Sequence, residues 1–419
     1  VNRVYCEKAG GLGKKASKTS GKDYTIVESH EYWARYMSKI KVKKVIEKLK
    51  KEGVLLTAGS FAAATMLIVP PSGAYLEYID FRVLALLFCL MAVVAGFVQQ
   101  GVFLYLAERV LRRVKTTRGI CMMLIMLCFV SAMWITNDVA LITFVPFAVL
   151  LLSMTGLNHY LIYVVVMQTI AANLGSMLTP VGNPQNLYLY SNYEMSSLEF
   201  SMITLPYTVV SLLVLWGVNL WIKKEPIGTE VNLQVASRQT SKRPFVLVVY
   251  AILFLLCLMT VLHVLDYKIM LLIVIAVFLL SDRKVLKNVD YSLLATFLCF
   301  FVFVGNLGSI DSIRTYLSSV IAGKELLLSV LLSQIISNVP AAVLLSKFTA
   351  NYQALVIGTN LGGLGTLVAS LASLISFKIY IKTDNSSRGK YMVFFTIANA
   401  GFLAVLLVTY YIIVVMGQR

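Results

Sequence analysis

The sequence is poor in charge, in histidine and in paired cysteine. Asp, Glu, Lys and Arg make up 14% of its 419 residues, against about 25% in a soluble domain. The three histidines, His30, His159 and His263, fall at expected loops or interfaces, and none joins a metal-ligating or catalytic constellation. The six cysteines show no paired spacing and five lie inside apolar blocks, which argues against a disulfide framework or a zinc site. There is no phosphate-binding glycine loop and no nucleophile motif. These absences count against an enzyme and against an ATP-driven pump, and no cofactor is expected. Residues 1–30 lack the apolar run and cleavage site of a secretory signal; rich in Gly, Lys and Ser, they read as disordered.

What is abundant is apolar. Hydrophobic residues make up 58% of the chain and the mean hydropathy is +0.80. The excess falls in blocks of about twenty residues, the length that spans a hydrocarbon core, so an all-α integral membrane protein is expected. The net charge of +17 is read from its location. Residues 1–52 hold fourteen Lys/Arg against six Asp/Glu, and the remaining surplus sits in short loops at 109–118, 223–243 and 283–287. That is the pattern of cytoplasmic loops facing lipid, not of a nucleic-acid-binding surface. Residues 31–52 read as an interfacial amphipathic helix.

Nine full crossings are expected, at about 53–70, 79–106, 160–190, 198–222, 244–264, 267–281, 289–308, 353–380 and 391–416. Two further segments, 119–154 and 325–349, carry a polar cluster at their centres and read as re-entrant hairpins, tolerated only where protein or a cavity surrounds them. With the N-terminus in the cytoplasm and both hairpins re-entering, the basic loops fall inside, the loops at 71–78, 191–197 and 309–324 fall outside, and the C-terminus is outside. The chain then divides into a basic cytoplasmic segment (1–52), a first repeat (53–222), a cytoplasmic linker (223–243), a connecting helix (244–266) and a second repeat (267–416).

The repeats rest on three matches kept in order. Ile79-Asp80-Phe81-Arg82-Val83-Leu84-Ala85 aligns with Val289-Asp290-Tyr291-Ser292-Leu293-Leu294-Ala295. Thr136-Asn137-Asp138 aligns with Ser337-Asn338-Val339, and Asn173-Leu174-Gly175 with Thr179 aligns with Asn360-Leu361-Gly362 with Thr366. The expected topology starts Asp80 outside and Asp290 inside, so the repeats are inverted, as in many secondary transporters.

The same residues are the candidate site. Asn and Ser interrupt each hairpin at its tip, where broken helices offer free N–H groups to anions and free C=O groups to cations. The partner helices are broken too, by Thr179-Pro180-Val181-Gly182-Asn183-Pro184 in the first half and by Gly362, Gly363 and Gly365 in the second. Thr136, Asn137, Asn183, Ser337, Asn338 and Thr366 are therefore expected to bind substrate. Asp138, Asn173, Gly175, Thr179, Asn360 and Gly362 are expected to serve the coupling ion. Asp138 is an acidic residue near the middle of an apolar block, a functional candidate by default. It suits a Na⁺ ligand, with Asn137 and Asn338 beside it, a proton carrier, or a simple helix cap.

These tips and the run Gly182-Asn183-Pro184-Gln185-Asn186 resemble those of the ion transporter superfamily, which includes citrate-transporter-like permeases, divalent anion:sodium symporters, arsenite permeases and some sodium/proton antiporters. The resemblance covers about residues 53–416. It implies that each repeat holds a re-entrant hairpin and an unwound helix, forming a domain that moves as an elevator against a scaffold that often dimerises. In the symporters a Ser-Asn-Thr motif at each tip binds substrate carboxylate and a sodium ion. Here Asp138 and Val339 depart from the third position, which disfavours a dicarboxylate site, and Asn137-Asp138 is more like the arsenite permeases. The function expected is a secondary transporter of a small anion or oxyacid coupled to Na⁺ or H⁺, in a bacterial or archaeal cytoplasmic membrane. The alternative is a cation/proton antiporter or arsenite exporter using Asp138. A membrane enzyme and a channel fit the pattern less well.

Overall fold

The computed structural model describes residues 53–73, 75–111, 114–226, 244–383 and 386–417. The expected amphipathic helix and most of the 223–243 linker lie outside them. Among the described residues every regular element is helical, apart from an isolated bridge between Thr116 and Pro226. In chain order the helices are α1 (Gly53–Met66), α2 (Tyr75–Tyr78), α3 (Phe81–Gln99), α4 (Val102–Leu111), α5 (Thr117–Ser131), α6 (Asn137–Met154), α7 (Leu161–Ser176), α8 (Pro184–Asn192), α9 (Ser197–Asn219) and α10 (Pro244–Val261). They continue as α11 (Tyr267–Ser281), α12 (Arg283–Leu286), α13 (Tyr291–Gly308), α14 (Asp311–Ile321), α15 (Glu325–Ile336), α16 (Asn338–Ser346), α17 (Tyr352–Gly362), α18 (Leu371–Tyr380) and α19 (Arg388–Gly417).

Five of these, α3, α6, α9, α13 and α19, are long and apolar enough to cross a membrane alone. A sixth is gained if α14 and α15, bent by 109° at their junction, count as one span. Fewer whole spans than expected appear because some apolar blocks are cut at glycine and proline, while those at 53–66, 245–261 and 267–281 form apolar helices of 17 residues or fewer. Gly101, at φ +70°, separates α3 from α4. The 160–190 block is α7 and α8, and the 353–380 block is α17 and α18. α8 restarts on Asn183, whose side chain caps Asn186 N–H at 2.9 Å, with Pro184 in the first turn. Two local readings differ from expectation. Residues 311–321, taken as part of an outer loop, form α14, and α6 is by itself as long as a span.

The matched stretches at 79–85 and 289–295 begin helices in the same way. Asp80 Oδ1 accepts from Val83 N–H at 2.9 Å and Asp290 Oδ1 accepts from Leu293 N–H at 3.0 Å. Both caps hold nearly the same backbone, φ −81° and ψ 88° against φ −79° and ψ 84°.

Packing positions the site. α5 lies along α7, and α15 along α17. Each contact is close because a glycine leaves room: a Cβ on Gly175 would fall 2.8 Å from the carbonyl carbon of Phe129, and one on Gly362 would fall 2.8 Å from Ser333 Cβ. The second limbs cross over: α6 packs on α18, and α16 packs on α8. One apolar core therefore joins α5, α6 and α7 to α17–α19, and another joins α8 and α16 to α3, α10, α11 and α13. Large apolar residues such as Leu67, Leu280 and Trp221 are more than four-fifths exposed, as a lipid-facing surface requires.

Candidate functional site

Each helix break leaves backbone groups that must find partners away from water, and the two breaks answer this in parallel. At the α5–α6 break, Asn137 N–H donates to Gly182 O at 3.1 Å. At the α15–α16 break, Asn338 N–H donates to Ala369 O at 3.0 Å. Each break thus bonds to the unwound segment that follows it in the chain. The second break turns on one residue, Ser337, buried and held at φ +76° and ψ 155°, a region populated almost only by glycine. Its hydroxyl faces Asn338 Oδ1 at 3.5 Å and Ala369 O at 3.4 Å.

Between the breaks lies a buried amide network. Asn137 Nδ2 donates to Asn173 Oδ1 at 2.9 Å, and Ser370 Oγ donates to the same oxygen at 3.1 Å. Asn173 Nδ2 reaches Gly363 O at 3.4 Å. A second set is built on Asn360, whose Oδ1 accepts from Asn183 Nδ2 at 3.1 Å and whose Nδ2 donates to Asn186 Oδ1 at 2.7 Å. Asn183 also donates to Ser176 Oγ at 3.1 Å, and Asn186 Nδ2 to Ser176 O at 3.2 Å. The broken helices α7–α8 and α17–α18 are therefore cross-linked twice, by amide side chains wholly inside the protein. Such groups are held this way because an unpaired amide there would lose its full desolvation energy.

Of the sequence candidates, Asn137, Asn173, Asn183 and Asn360 come together in this network, while Ser337 and Asn338 bond to Ala369 O, next in the chain to Ser370. Gly175 and Gly362 lie within it as packing contacts. Thr136 precedes α6 without a side-chain cap. Asp138 opens α6; its N–H donates to Asn137 Oδ1 at 2.9 Å, while its own Oδ1 is buried without a hydrogen-bond partner. Thr179 turns away, its hydroxyl donating to Met133 O. Thr366 is exposed, with its N–H on Gln334 Oε1.

Several contributors escaped the sequence reading. Ser370 and Ser176 are single hydroxyls in apolar surroundings, with nothing in the sequence to single them out. Gln168 is buried and bridges both limbs of the first break, donating to Leu124 O at 3.1 Å and Phe144 O at 3.4 Å. Glu325 is an acidic residue more buried than Asp138; its Oε1 accepts from Thr349 Oγ1 at 3.1 Å and Gly323 N–H at 3.2 Å. The signal available for Gln168 and Gln334 was an amide inside an apolar helix, the same signal that marked the asparagines.

Several apolar spans enclosing two broken helices, with a buried polar network where the breaks meet, define an integral membrane transporter. The sequence profile of the citrate transporter family (CitMHS) matches residues 45–354. The chain belongs to that family. It is 31% identical over 305 residues to an uncharacterized transporter of Methanocaldococcus jannaschii, covering 72% of this chain and 81% of the relative. It is 30% identical over 307 residues to the inner membrane protein YbiR of Escherichia coli, covering 72% and 80%. A shorter match, 31% over 170 residues, covers 39% of this chain and 33% of the silicon efflux transporter LSI3 of Oryza sativa subsp. japonica.

Proposed function

We propose that this transporter is a secondary active carrier of a small anion or oxyacid, coupled to Na⁺ or H⁺. It would work as two inverted repeats whose hairpins and broken helices move together as an elevator. The observation that carries this reading is the pairing of contacts around the two breaks. Asn137 on Gly182 matches Asn338 on Ala369, and the amide cross-links join the unwound parts of both halves. A set of contacts this interlocked favours motion as one unit, since separating the broken helices would strip several buried amides of their partners at once.

Substrate would be held by amides, hydroxyls and helix starts at Thr136, Asn137, Asn183, Ser337 and Asn338, without help from a lysine or arginine at either break. The coupling ion would bind at Asp138, the charged group of the site, beside Asn137. The positive-inside pattern supports a cytoplasmic N-terminus and an inner-membrane location. A second reading, cation/proton antiport or oxyacid export, is favoured by Asp138 Oδ1, buried without a partner. The silicon efflux relative, matched over 39% of this chain, supports export as the direction in that case.

The test is flux into proteoliposomes holding the purified chain, with citrate, succinate, sulfate and arsenite as probes, under imposed Na⁺ or pH gradients. Uphill accumulation driven by one gradient supports the symport reading. Substrate-independent Na⁺/H⁺ exchange supports the second. Saturable flux that no gradient drives uphill would leave a facilitator or channel.

A further inference from the structure

Besides its bonds to Asn173 and Ser337, the second unwound segment is gripped at three points by Gln334 of α15. Its Nε2 donates to Gly362 O and Leu364 O, each at 2.9 Å, and lies 3.1 Å from Val330 O in its own helix. Its Oε1 accepts from Thr366 N–H at 2.8 Å. Three acceptors on one side and a donor on the other fix which end of the amide is nitrogen. Gly365 adapts to it: the residue sits at φ +119°, and a Cβ there would fall 2.9 Å from Gln334 Cδ. The glycine break in this segment is thus shaped to admit the amide.

The carbonyls in question are the frayed end of α17. Carbonyls past the last helical turn have lost their intrahelical partners and carry the negative end of the helix dipole. At breaks in membrane helices such carbonyls coordinate cations. Here a protein NH₂ group, the positive end of an amide dipole, sits on two of them, Gly362 O and Leu364 O. The first half differs. Three residues ahead of its tip residue Thr136, where Gln334 stands three ahead of Ser337, is Met133, a side chain with no hydrogen to donate. The first tip instead carries the Asp138 carboxylate with an unpartnered buried oxygen, and the second has Val339 in that place.

We propose that the Gln334 amide occupies the carbonyl cradle of the second half in place of a cation, so that one transport cycle carries a single coupling cation, in the first half at Asp138. The proposal rests on the secondary-carrier reading above and narrows it. A neutral amide satisfies the carbonyls permanently and adds no charge to the moving unit. A cation site there would have to be emptied and refilled at every turnover. Removing the amide leaves Gly362 O and Leu364 O without the donor that Gln334 supplies, a setting that suits a small monovalent cation.

The experiment needs no substrate, so its outcome is independent of what the carrier moves. The full chain in detergent is titrated with NaCl against choline chloride at constant ionic strength, following the thermal midpoint and ²²Na⁺ binding. The unaltered chain is expected to bind at most one Na⁺, with a Hill coefficient near one. Asp138→Asn is expected to abolish that response. Asp138→Asn combined with Gln334→Ala is expected to regain a saturable rise in midpoint with Na⁺ or Li⁺. Two Na⁺ per unaltered chain, or a folded double variant with no response to either ion, overturns the proposal. If Gln334→Ala fails to fold, Gln334→Lys supplies an ammonium to the same carbonyls; it is expected to fold without Na⁺, and its failure to do so counts against the cation analogy.

Discussion

Replacing Gly175 by alanine would drive a methyl group into the backbone of α5. The new Cβ would fall 2.8 Å from the carbonyl carbon of Phe129 and 2.9 Å from its Cα, with the carbonyl oxygen nearer still, whereas ordinary contact begins at 3.4 Å. None of these atoms belongs to a flexible side chain, so α5 and α7 must part by roughly half an ångström or more, a shift that close-packed interiors resist. Overpacking of this kind costs about 1–3 kcal/mol, and the better helix propensity of alanine recovers about 1 kcal/mol at most. A net loss of about 1 kcal/mol, rising to about 2 kcal/mol if α5 cannot shift, is expected. Gly217→Ala is the control: no atom lies within 4 Å of its Cβ, so only the propensity gain remains. Thermal midpoints of the two variants in one detergent should therefore move in opposite directions. Function should fall with stability for Gly175→Ala, because Asn173, two residues away, receives the 2.9 Å bond from Asn137. A Gly175→Ala protein with an unchanged midpoint and unchanged flux would refute the close contact of α5 with α7.

Ser337→Gly should relieve the backbone strain at φ +76°, worth about 1–3 kcal/mol, and raise the midpoint while weakening substrate flux through loss of the hydroxyl. A lower midpoint would mean that the hydroxyl, and not the backbone, dominates that position. A double-mutant cycle of Asn183→Ala and Asn360→Ala, read by thermal unfolding, should give a coupling of about 0.5–3 kcal/mol; strictly additive losses would show that the 3.1 Å bond contributes nothing. Asp138→Asn should insert and fold but lose gradient-driven accumulation, and retained coupled transport would remove Asp138 from the mechanism. Asp80→Ala and Asp290→Ala should each lose about 1 kcal/mol of helix capping, with similar midpoint shifts for both.

The sequence by itself determined the class of protein and where its helices break. Apolar blocks too long and too poor in charge for a soluble core require a bilayer. Asn-Asp, Ser-Asn, Gly-Asn-Pro and the glycine run interrupt those blocks, because they supply caps, remove donors or admit backbone that an apolar helix cannot hold. Asp80 and Asp290 were legible as a matched pair, and the structure gives both the same cap. Tertiary structure alone decided who meets whom. Asn360 contacts Asn183 and Asn186 at a separation of more than 170 residues, and no local pattern encodes that distance. The crossing of α6 onto α18 and α16 onto α8 joins segments far apart in the chain and likewise has no local signal. Thr366 matched Thr179 in sequence, and their hydroxyls donate to corresponding carbonyls, Met133 O and Gln334 O, but only the packed structure leaves Thr366 exposed. Periodicity and composition report which backbone groups lose their helical partners. Which side chain then satisfies each of them depends on a packed interior, whose contacts are set in three dimensions.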